Sequence, residues 1–430
     1  MLWNMQEREH TVYLGLRERW GGTTPFGLSR GDRRHHLYVV GKTGTGKTTL
    51  LRNLIIQDLE AGEGVGVLDP HGDLALELLD HIPPWRTDHV VYFNPSDQDY
   101  PVALNLLRQV SPERRHLVAG GLVGALKSIW RDSWGPRLEY ILYAACAALL
   151  ECQNVTILGV QRMLSDARYR RWVVHQVTDP TVRSFWDHEF ARYGERFLQE
   201  AISPIQNKVG QLLMAPPIRN VLGQVKSKVD ARFMMDNRRI LIANLSKGLL
   251  GEEKANLLGA LLVTQFQLAA MERADVPEKA RLDFYLHIDE FHNFSTDSFA
   301  GILSEARKYR LSLTLSHQYL EQLRPEVREA VLGNAGSLVA FRVGEADARV
   351  LERAFASPYS ARHLADLANR EVCAKVLAGG VASDPFLGEA LPPLSPKYGG
   401  RDNIIRRSRE RYSTPRVVVE EKIRRWMLTK

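Results

Sequence analysis

The 430-residue sequence is poor in cysteine and contains no long apolar segment. Its three cysteines, Cys146, Cys152 and Cys373, form neither a disulfide framework nor a zinc-binding spacing, so we expect reduced core residues. No run approaches the roughly eighteen apolar residues of a transmembrane helix, and the longest, residues 140–150, suits a buried helix. The N-terminus also lacks the charged-then-apolar layout of a signal peptide. These absences predict a cytoplasmic protein without an integral membrane segment.

Internal repeats and low-complexity segments are absent as well, and the composition is typical of a globular chain. Hydrophobic residues make up 44% of the sequence and charged residues 25%. The charge is uneven, because residues 401–430 hold ten basic and four acidic residues and so carry +6 of the net +7. We expect a basic C-terminal tail there, which binds nucleic acid, docks on a neighbouring subunit or remains a solvated arm.

Residues 41–48 read GKTGTGKT, which fits the phosphate-binding pattern G-x-x-x-x-G-K-[ST] between a strand-like and a helical run. Its glycines let backbone N–H groups turn toward one point, where the helix N-terminus adds a positive dipole. We expect Lys47 to reach the β- and γ-phosphates of ATP and Thr48 to hold Mg²⁺. The predicted nucleotide-binding residues are Gly41, Lys42, Thr43, Gly44, Thr45, Gly46, Lys47, Thr48 and Thr49.

The pattern of the rest of the chain predicts an α/β core interrupted by helices. Apolar strand-like runs occur at residues 11–16, 37–40, 64–69, 89–94, 239–245, 284–289, 311–315 and 337–343. A Gly/Thr/Pro-rich loop is expected at residues 21–27. Strands that alternate with helical runs indicate a mostly parallel sheet covered on both faces. Between residues 111 and 229 the apolar residues recur at helical spacing, which predicts an all-α insertion.

This pattern predicts that the chain has four parts. Residues 1–110 form the first part of the nucleotide-binding core, and residues 111–229 form the inserted helical domain. Residues 230–400 complete the core, and residues 401–430 form the basic tail. The long interval between Lys47 and the paired carboxylates at residues 289–290 supports an insertion, because a minimal nucleotide-binding domain needs far fewer residues.

An apolar strand at residues 284–289 ends in two carboxylates, Asp289 and Glu290. At the C-terminal end of a parallel strand they face the same crevice as the phosphate loop. Asp289 suits Mg²⁺, and Glu290 suits polarising the water that attacks the γ-phosphate. Gln318 ends the next strand, where it could sense the phosphate or orient the water. Arg307 lies on the preceding helix and could act in its own subunit or across an interface.

Taken in order, the motifs resemble the HerA–FtsK superfamily of hexameric pumping ATPases, and most closely the TraG/TraD-type coupling proteins of conjugative type IV secretion. The resemblance covers nearly the whole chain and rests on GKTGTGKTTLL, VLDPHGD, NPSDQDYPVALNLL, SPIQNKVGQLL, LIANLSKGLLGEEKANLLG, HIDEFHNF, EARKYRLSLTLSHQ and NAGSLVAFRVG. It implies a RecA-like P-loop core with an all-α domain. The transmembrane anchor typical of coupling proteins has no counterpart among the apolar segments.

The resemblance also assigns roles. Lys47 and Thr48 match the Walker A pair, Asp289 and Glu290 match Walker B, and Gln318 matches the glutamine of the third motif. Arg307 lies where the family is expected to carry its arginine finger. These residues imply an ATP- and Mg²⁺-dependent translocase that pumps single- or double-stranded DNA through a hexameric ring.

Several alternatives stay open at this point. The chain could be a soluble HerA-like motor that works with a nuclease in DNA end resection or defence. It could move protein instead of DNA, or act as a nucleotide-gated scaffold with negligible turnover. A relaxosome, a secretion channel or a nuclease is the expected partner, and the first two would recruit the protein to a membrane.

Overall fold

The computed structural model describes residues 11–19, 21–108, 110–297, 299–356, 358–395 and 398–428. The chain forms two compact units. The first consists of the described residues of Met1–Tyr92, Arg232–Asn244 and Ala269–Arg407. The second consists of those of Phe93–Ala231, Leu245–Leu268 and Ser408–Lys430. The four-part division expected from the sequence, with boundaries at residues 110, 229 and 400, stays a prediction.

Strands are concentrated at the two ends of the chain. They are β1 (Thr11–Arg19), β2 (Gly22–Ser29), β3 (Leu37–Val40), β4 (Gly64–Asp69), β5 (Val90–Phe93), β6 (Ile240–Asn244), β7 (Phe284–Ile288), β8 (Leu311–His317), β9 (Ser337–Ala340), β10 (Glu371–Lys375), β11 (Leu377–Ala378), β12 (Val381–Ala382) and β13 (Phe386–Ala390). The strands expected at residues 11–16, 37–40, 64–69, 89–94, 239–245, 284–289, 311–315 and 337–343 are therefore confirmed, with shifts of a few residues at their ends.

Helices connect the strands and fill the interval between residues 112 and 236. They are α1 (Arg30–Arg33), α2 (Lys47–Glu60), α3 (Asp73–Leu79), α4 (Arg115–Ile129), α5 (Pro136–Leu150), α6 (Leu158–Ser165), α7 (Ala167–Gln176), α8 (Pro180–Ser184), α9 (Glu195–Met214), α10 (Pro216–Leu222), α11 (Ala231–Asp236), α12 (Lys247–Leu250), α13 (Glu252–Glu272), α14 (Phe299–Glu305), α15 (Pro325–Asn334), α16 (Glu345–Phe355), α17 (Ala361–Asp366), α18 (Arg401–Tyr412) and α19 (Arg416–Leu428). Among the described residues, no helix is long and apolar enough to span a membrane.

The described strands build one sheet of eleven strands in the order β2-β1-β13-β10-β9-β3-β8-β7-β4-β6-β5, beside a small β11-β12 pair. Within it, β9, β3, β8, β7, β4 and β6 run parallel. The strands β2, β1, β13 and β10 extend the sheet by antiparallel pairing. The parallel strands are buried along their whole length, as expected for a sheet with helices on both faces. The α/β fold class is thus confirmed.

The loop expected at residues 21–27 is wrong, because this segment forms the edge strand β2. It pairs antiparallel with β1 from Thr11↔Ser29 to Arg19↔Gly22. Glycine and proline suggest a loop, yet proline is tolerated on an edge strand, where its missing N–H faces no partner. The close approach of β1 also favours glycine, since a Cβ on Gly27 would lie 2.2 Å from the carbonyl oxygen of Val12.

The C-terminal residues 401–428 fold as helices α18 and α19, and aspartates neutralise several of their arginines. Arg407 forms a two-pronged pair with Asp88 at 2.9 and 3.0 Å. Within the second unit, Arg409 bonds Asp97 at 2.7 Å. Further ion pairs join Arg401 to Asp80 and Arg416 to Asp99. The positive charge of this segment is therefore partly compensated within the fold.

A buried ion network ties the end of α2 to the start of the first unit's sheet. Arg33 donates to both carboxylate oxygens of Asp58 at 2.5 and 2.7 Å, and His287 lies 3.1 Å from the same carboxylate. Arg33 also stacks over the ring of Tyr285 at 3.6 Å. Burial alone would raise the pKa of Asp58, but the Arg33 charge and hydrogen bonds dominate and lower it to about 2. The pair is therefore ionised across the physiological pH range.

Replacing Arg33 by methionine should destabilise the protein, because it leaves a buried carboxylate without its counter-ion. We expect a loss of about 3–5 kcal/mol of unfolding free energy. Chemical denaturation of the parent and Arg33→Met proteins measures it. Arg362→Met removes an exposed pair with Asp366 and should change stability by less than about 0.5 kcal/mol. Equal effects of the two substitutions would contradict the role given to Arg33.

Candidate nucleotide site

The parallel register aligns the C-terminal ends of four neighbouring strands in the first unit. Val40 pairs with His317, Ile288 with Leu315, and Leu68 with Ile288. The residues that follow these ends are the phosphate loop after β3, Gln318 after β8, and Asp289 after β7. The sheet therefore brings the predicted Walker A, Walker B and third-motif residues to one edge, as the sequence suggested.

The loop at residues 41–48 turns tightly between β3 and α2. The N–H of Lys42 donates to the carbonyl of Arg342 at 2.8 Å, and the Thr45 hydroxyl donates to the carbonyl of Lys42 at 2.7 Å. Gly46 has a φ of 121°, and a Cβ there would lie 3.0 Å from the ring of Phe341. A side chain at Gly46 would therefore strain the backbone and press on the ring of Phe341.

Lys47 begins α2, and its side chain folds back over the loop. Its Nζ donates to the carbonyls of Gly41 at 2.5 Å and of Lys42 at 3.0 Å. Burial lowers the pKa of Lys47, while the nearby charges of Glu290 and Asp289 act in the opposite direction. A buried ammonium among loop carbonyls and backbone N–H groups is arranged to receive phosphate oxygens.

The remaining loop residues present the surface that a ligand would meet. Lys42, Thr43, Gly44 and Thr48 are exposed, Thr49 is half-buried, and Thr45 is buried. The first N–H groups of α2 have no acceptors within the helix, which leaves them available to an anion. The predicted binding residues thus form one continuous cradle.

The two carboxylates after β7 are buried beside this cradle. The backbone N–H of Asp289 donates to the carbonyl of Leu68 at 3.1 Å, and its carboxylate accepts the N–H of Glu290 at 3.1 Å. Burial, then the charges of Glu290 and Asp69, raise the pKa of Asp289 to about 6. The ionised Asp289 carboxylate is unfavourable because it is buried and lies near two other acids. A bound cation would stabilise the ionised form.

Glu290 adopts a left-handed backbone conformation, with φ 45° and ψ 49°. Such a conformation in a residue other than glycine stores roughly 1–3 kcal/mol of strain and is concentrated at functional sites. Its Oε1 accepts a hydrogen bond from Gln318 Nε2 at 3.0 Å, and its Oε2 lies 3.4 Å from His292 Nδ1. Gln318 therefore holds the Glu290 side chain, and the left-handed turn changes the direction of the chain after β7.

Arg307 lies at the opposite edge of the sheet from these residues. It belongs to a short 3₁₀ helix, Ala306–Tyr309, that precedes β8, and its Nη1 contacts His35 Nδ1 at 3.1 Å just before β3. The seven residues of β8 separate Arg307 from Gln318, a span of about 20 Å at roughly 3.3 Å per residue. This geometry keeps Arg307 out of its own subunit's phosphate cradle.

Two polar residues at the same edge were not singled out from the sequence. Asp69 ends β4, and its carboxylate accepts the N–H groups of His71 at 2.8 Å and Ala75 at 2.9 Å. Asn244 ends the adjacent β6, and its amide donates to the Tyr92 hydroxyl at 3.0 Å. The VLDPHGD motif places the Asp69 carboxylate at a strand end, which is a signal for a functional residue. The proline and glycine of the same motif also favour an ordinary turn, so the motif alone did not distinguish the two.

The donor set suits Mg²⁺ held jointly with phosphate. No cluster of three or more metal-ligating side chains occurs in the described part of the chain. The Thr48 hydroxyl and the Asp289 carboxylate are hard oxygen donors, and Mg²⁺ is commonly bound by one or two carboxylates together with substrate phosphates. The residues present therefore fit Mg²⁺ as part of a metal–nucleotide complex.

This fold is that of the RecA-like P-loop NTPases. Residues 28–113 match the family model described as the central domain of helicase HerA. No curated protein matches the chain significantly.

Three solved structures are similar to this chain over most of its length. Plasmid coupling protein TrwB with the non-hydrolysable ATP analogue ADPNP has a TM-score of 0.60 at 17% identity, covering 86% of this chain and 87% of TrwB. TrwB with ADP and Mg²⁺ has a TM-score of 0.59 at 16% identity, covering 86% and 88%. VirB4 of Thermoanaerobacter pseudethanolicus has a TM-score of 0.57 at 15% identity, covering 89% and 96%.

Asp289→Asn should stabilise the ligand-free protein at high pH. Because burial raises the Asp289 pKa to about 6, above its ordinary 3.8, the parent loses stability as the pH rises from about 4 through 6. Two pKa units correspond to about 3 kcal/mol, and asparagine avoids this loss. Thermal unfolding at pH 4.5 and pH 8 should show the advantage of Asp289→Asn growing with pH. The exposed control Asp132→Asn should show no such trend, and a pH-independent difference would contradict the assignment.

Proposed function

We propose that the protein is an ATP-driven DNA translocase of the coupling-protein type, which works as a homo-oligomeric ring, most simply a hexamer. The observation that carries this proposal is the meeting of the phosphate cradle with Asp289, Glu290 and Gln318 at one sheet edge, on a fold shared with a nucleotide-binding coupling protein. TrwB was solved with an ATP analogue and with ADP and Mg²⁺, which supports the same ligands here.

The phosphate loop and the carboxylates after β7 would have roles in hydrolysis. The loop N–H groups and Lys47 would hold the β- and γ-phosphates, and Thr48 and Asp289 would hold Mg²⁺. When bound, the metal ion would supply charge neutralisation to the phosphates. Glu290 accepts a proton from the attacking water, and its strained backbone directs the carboxylate toward the cradle.

Gln318 is placed to report whether the γ-phosphate is present. It donates to Glu290 Oε1 at 3.0 Å, while its own backbone N–H donates to Gln322 Oε1 at 3.1 Å. The Gln318 amide has two N–H donors, and the one that bonds Glu290 cannot at the same time donate to a phosphate oxygen. A γ-phosphate that draws Gln318 away would release Glu290 for the water.

Arg307 would complete the site of a neighbouring subunit. Its position about 20 Å from its own cradle favours action in trans over the alternative that it serves its own nucleotide. A finger of this kind neutralises transition-state charge and contributes about 10³–10⁵ in rate. His35, which accepts from Arg307, would position the guanidinium before the neighbour docks.

Hydrolysis in the ring would move the DNA backbone through the central channel by electrostatic, sequence-independent contacts. Lys247, a basic residue shortly after β6, is one candidate for such a contact. It begins α12 and pairs with Glu252 at 2.9 Å, which weakens its claim to a DNA phosphate. The protein would act in the cytoplasm, and a relaxosome or secretion channel would recruit it to a membrane.

ATP turnover should require both Lys47 and Glu290 and should rise with DNA. Lys47→Ala removes the phosphate-binding charge and should abolish nucleotide binding. Glu290→Gln removes only water activation, so it should bind ATP normally and hydrolyse it about 10²–10⁴-fold more slowly. Phosphate release assays with no DNA, with single strands and with duplex measure this, alongside particle symmetry by electron microscopy. Hydrolysis that no DNA stimulates would favour a protein-moving ATPase or a nucleotide-gated scaffold, and full activity of Glu290→Gln would refute its catalytic role.

Action of Arg307 in trans predicts complementation between inactive subunits. Arg307→Ala should bind ATP almost normally and hydrolyse it at least about 10³-fold more slowly. Mixing it with Glu290→Gln creates interfaces that pair an intact Glu290 with an intact Arg307, and these should regain partial activity.

The adjacent exposed residue provides the control, since Lys308→Ala should keep the parent rate. Mixing at several ratios guards against a strictly coordinated ring that masks rescue. Verified mixed rings that stay inactive at every ratio would mean that Arg307 supports the fold rather than the neighbour's chemistry.

A further inference from the structure

A cavity of about 490 Å³ opens in the second unit against the C-terminal helix α19. Its volume is within the range of small-ligand sites, roughly 300–1,000 Å³. Val419 and Ile423 of α19 form part of an apolar wall, and Trp426 lies beside them. The proposed ATPase makes no use of this cavity, since all its residues lie outside the first unit.

The charge of this cavity is entirely of one sign. Lys226, Lys228 and Lys422 line it, and the described lining contains no carboxylate. The acidic neighbours of Lys422 on α19 are engaged elsewhere: Glu421 bonds Arg424 and Arg425, and Glu420 accepts from Asn220. Three ammonium groups around one opening are complementary to a ligand with several negative charges.

A row of aromatic rings leads from the cavity to an exposed tryptophan. The Trp426 ring meets Tyr169 edge-on, with centroids 5.7 Å apart, and Tyr169 stacks on Trp172 at 5.5 Å. Arg162 fixes the row, because it donates to the carbonyl of Trp426 at 3.0 Å and lies over the rings of both Tyr169 and Trp426. Trp172 is 49% exposed at the far end.

The exposed end of the row is also cationic. Arg168, Arg171, Trp172 and His175 lie three or four residues apart on one face of α7, and all four are exposed. An indole beside two guanidinium groups on a solvent-facing helix is unusual for a merely solvated surface, since an exposed tryptophan leaves a large apolar area in water. We call the surface formed by Arg168, Arg171, Trp172, Trp426, Lys226, Lys228 and Lys422 the tryptophan strip.

We propose that the tryptophan strip binds a single strand of nucleic acid, with phosphates on its lysines and arginines and bases against Trp172 and Trp426. Aromatic platforms combined with cations that follow the backbone are the general means of holding single strands. A duplex hides its base faces and therefore fits the strip less well. An acidic peptide would match the cations but carries an aromatic ring only at particular residues, whereas every nucleotide carries a flat base.

This site goes beyond the proposed motor, because it would hold a strand without ATP. In a DNA pump it would capture the strand before or after translocation. The inference takes its substrate class from the strip itself and does not require hydrolysis.

Charge reversal of the strip should weaken binding of a fluorescein-labelled 12-nucleotide oligothymidylate to the nucleotide-free protein. We expect Lys226→Glu/Lys422→Glu to reduce affinity at least tenfold. Its slope of log affinity against log salt should flatten by about 1.4, for two lost contacts of a single strand. The control Lys279→Glu/Arg362→Glu changes net charge equally at exposed positions of the first unit and should stay within twofold of the parent.

The stacking contact is tested separately at Trp172, whose exposure makes loss of folding an unconvincing explanation. Trp172→Ala should reduce affinity about tenfold with an unchanged salt slope, and Trp172→Phe should restore most of it. Thermal unfolding confirms that each variant is folded. Affinities within twofold of the parent for the charge-reversal and Trp172→Ala variants would overturn the proposal. Competition by duplex or by thymidine monophosphate as strong as that by the unlabelled single strand would also overturn it.

Failure of this inference can be told apart from failure of the motor. If the parent binds the oligonucleotide through the strip but shows no ATP hydrolysis, the proposed function falls and the strip stands. If the strip variants bind normally and DNA still stimulates hydrolysis, the strip falls and the motor stands.

Discussion

The site depends on the register of the parallel strands. Val40, His317, Ile288 and Asp69 end four adjacent strands at nearly the same level, so the segments that follow them must meet. A slip of one residue would turn every side chain of a strand to the other face and remove its carboxylate or amide from the crevice. Close packing on both faces holds the register, because a slipped strand would exchange the side chains that fit against the two helical layers.

The same edge concentrates features that oppose stability. Asp289 is held with a raised pKa beside Asp69 and Glu290, and Glu290 has a left-handed backbone. At the other end of the strands, the Arg33–Asp58 pair supplies a fully buried and compensated charge network. The first unit thus combines a strained, electrostatically unfavourable edge with a well-satisfied one. A bound metal–nucleotide complex would reverse the penalty at the strained edge and couple ligand binding to the conformation of Glu290 and Gln318.

Local signals in the sequence were sufficient for the phosphate loop, the parallel strands and the residues at their ends. The antiparallel part of the sheet was less accessible, since Gly22–Ser29 has the composition of a loop and becomes a strand only through pairing with its neighbour. Asp69 and Asn244 lie near the phosphate loop because of the order of the strands in the sheet. No local sequence pattern specifies that order. The sequence left open whether the basic C-terminal residues bind nucleic acid, dock on a subunit or stay solvated. Their aspartate partners, such as Asp88, could not be predicted because they lie some three hundred residues earlier in the chain.

Arg307 shows how strand direction constrains assembly. A residue eleven positions before Gln318 seems close in sequence, yet the strand between them carries the chain across the sheet. If Arg307 completes the nucleotide site of a neighbouring subunit, the surface that carries Arg307 and the surface that carries the phosphate loop are different parts of the molecule. A contact between different surfaces is heterologous, and repetition of such a contact generates a closed ring when the rotation allows. With that role, the position of Arg307 relative to the phosphate loop is one that a ring of identical subunits would satisfy.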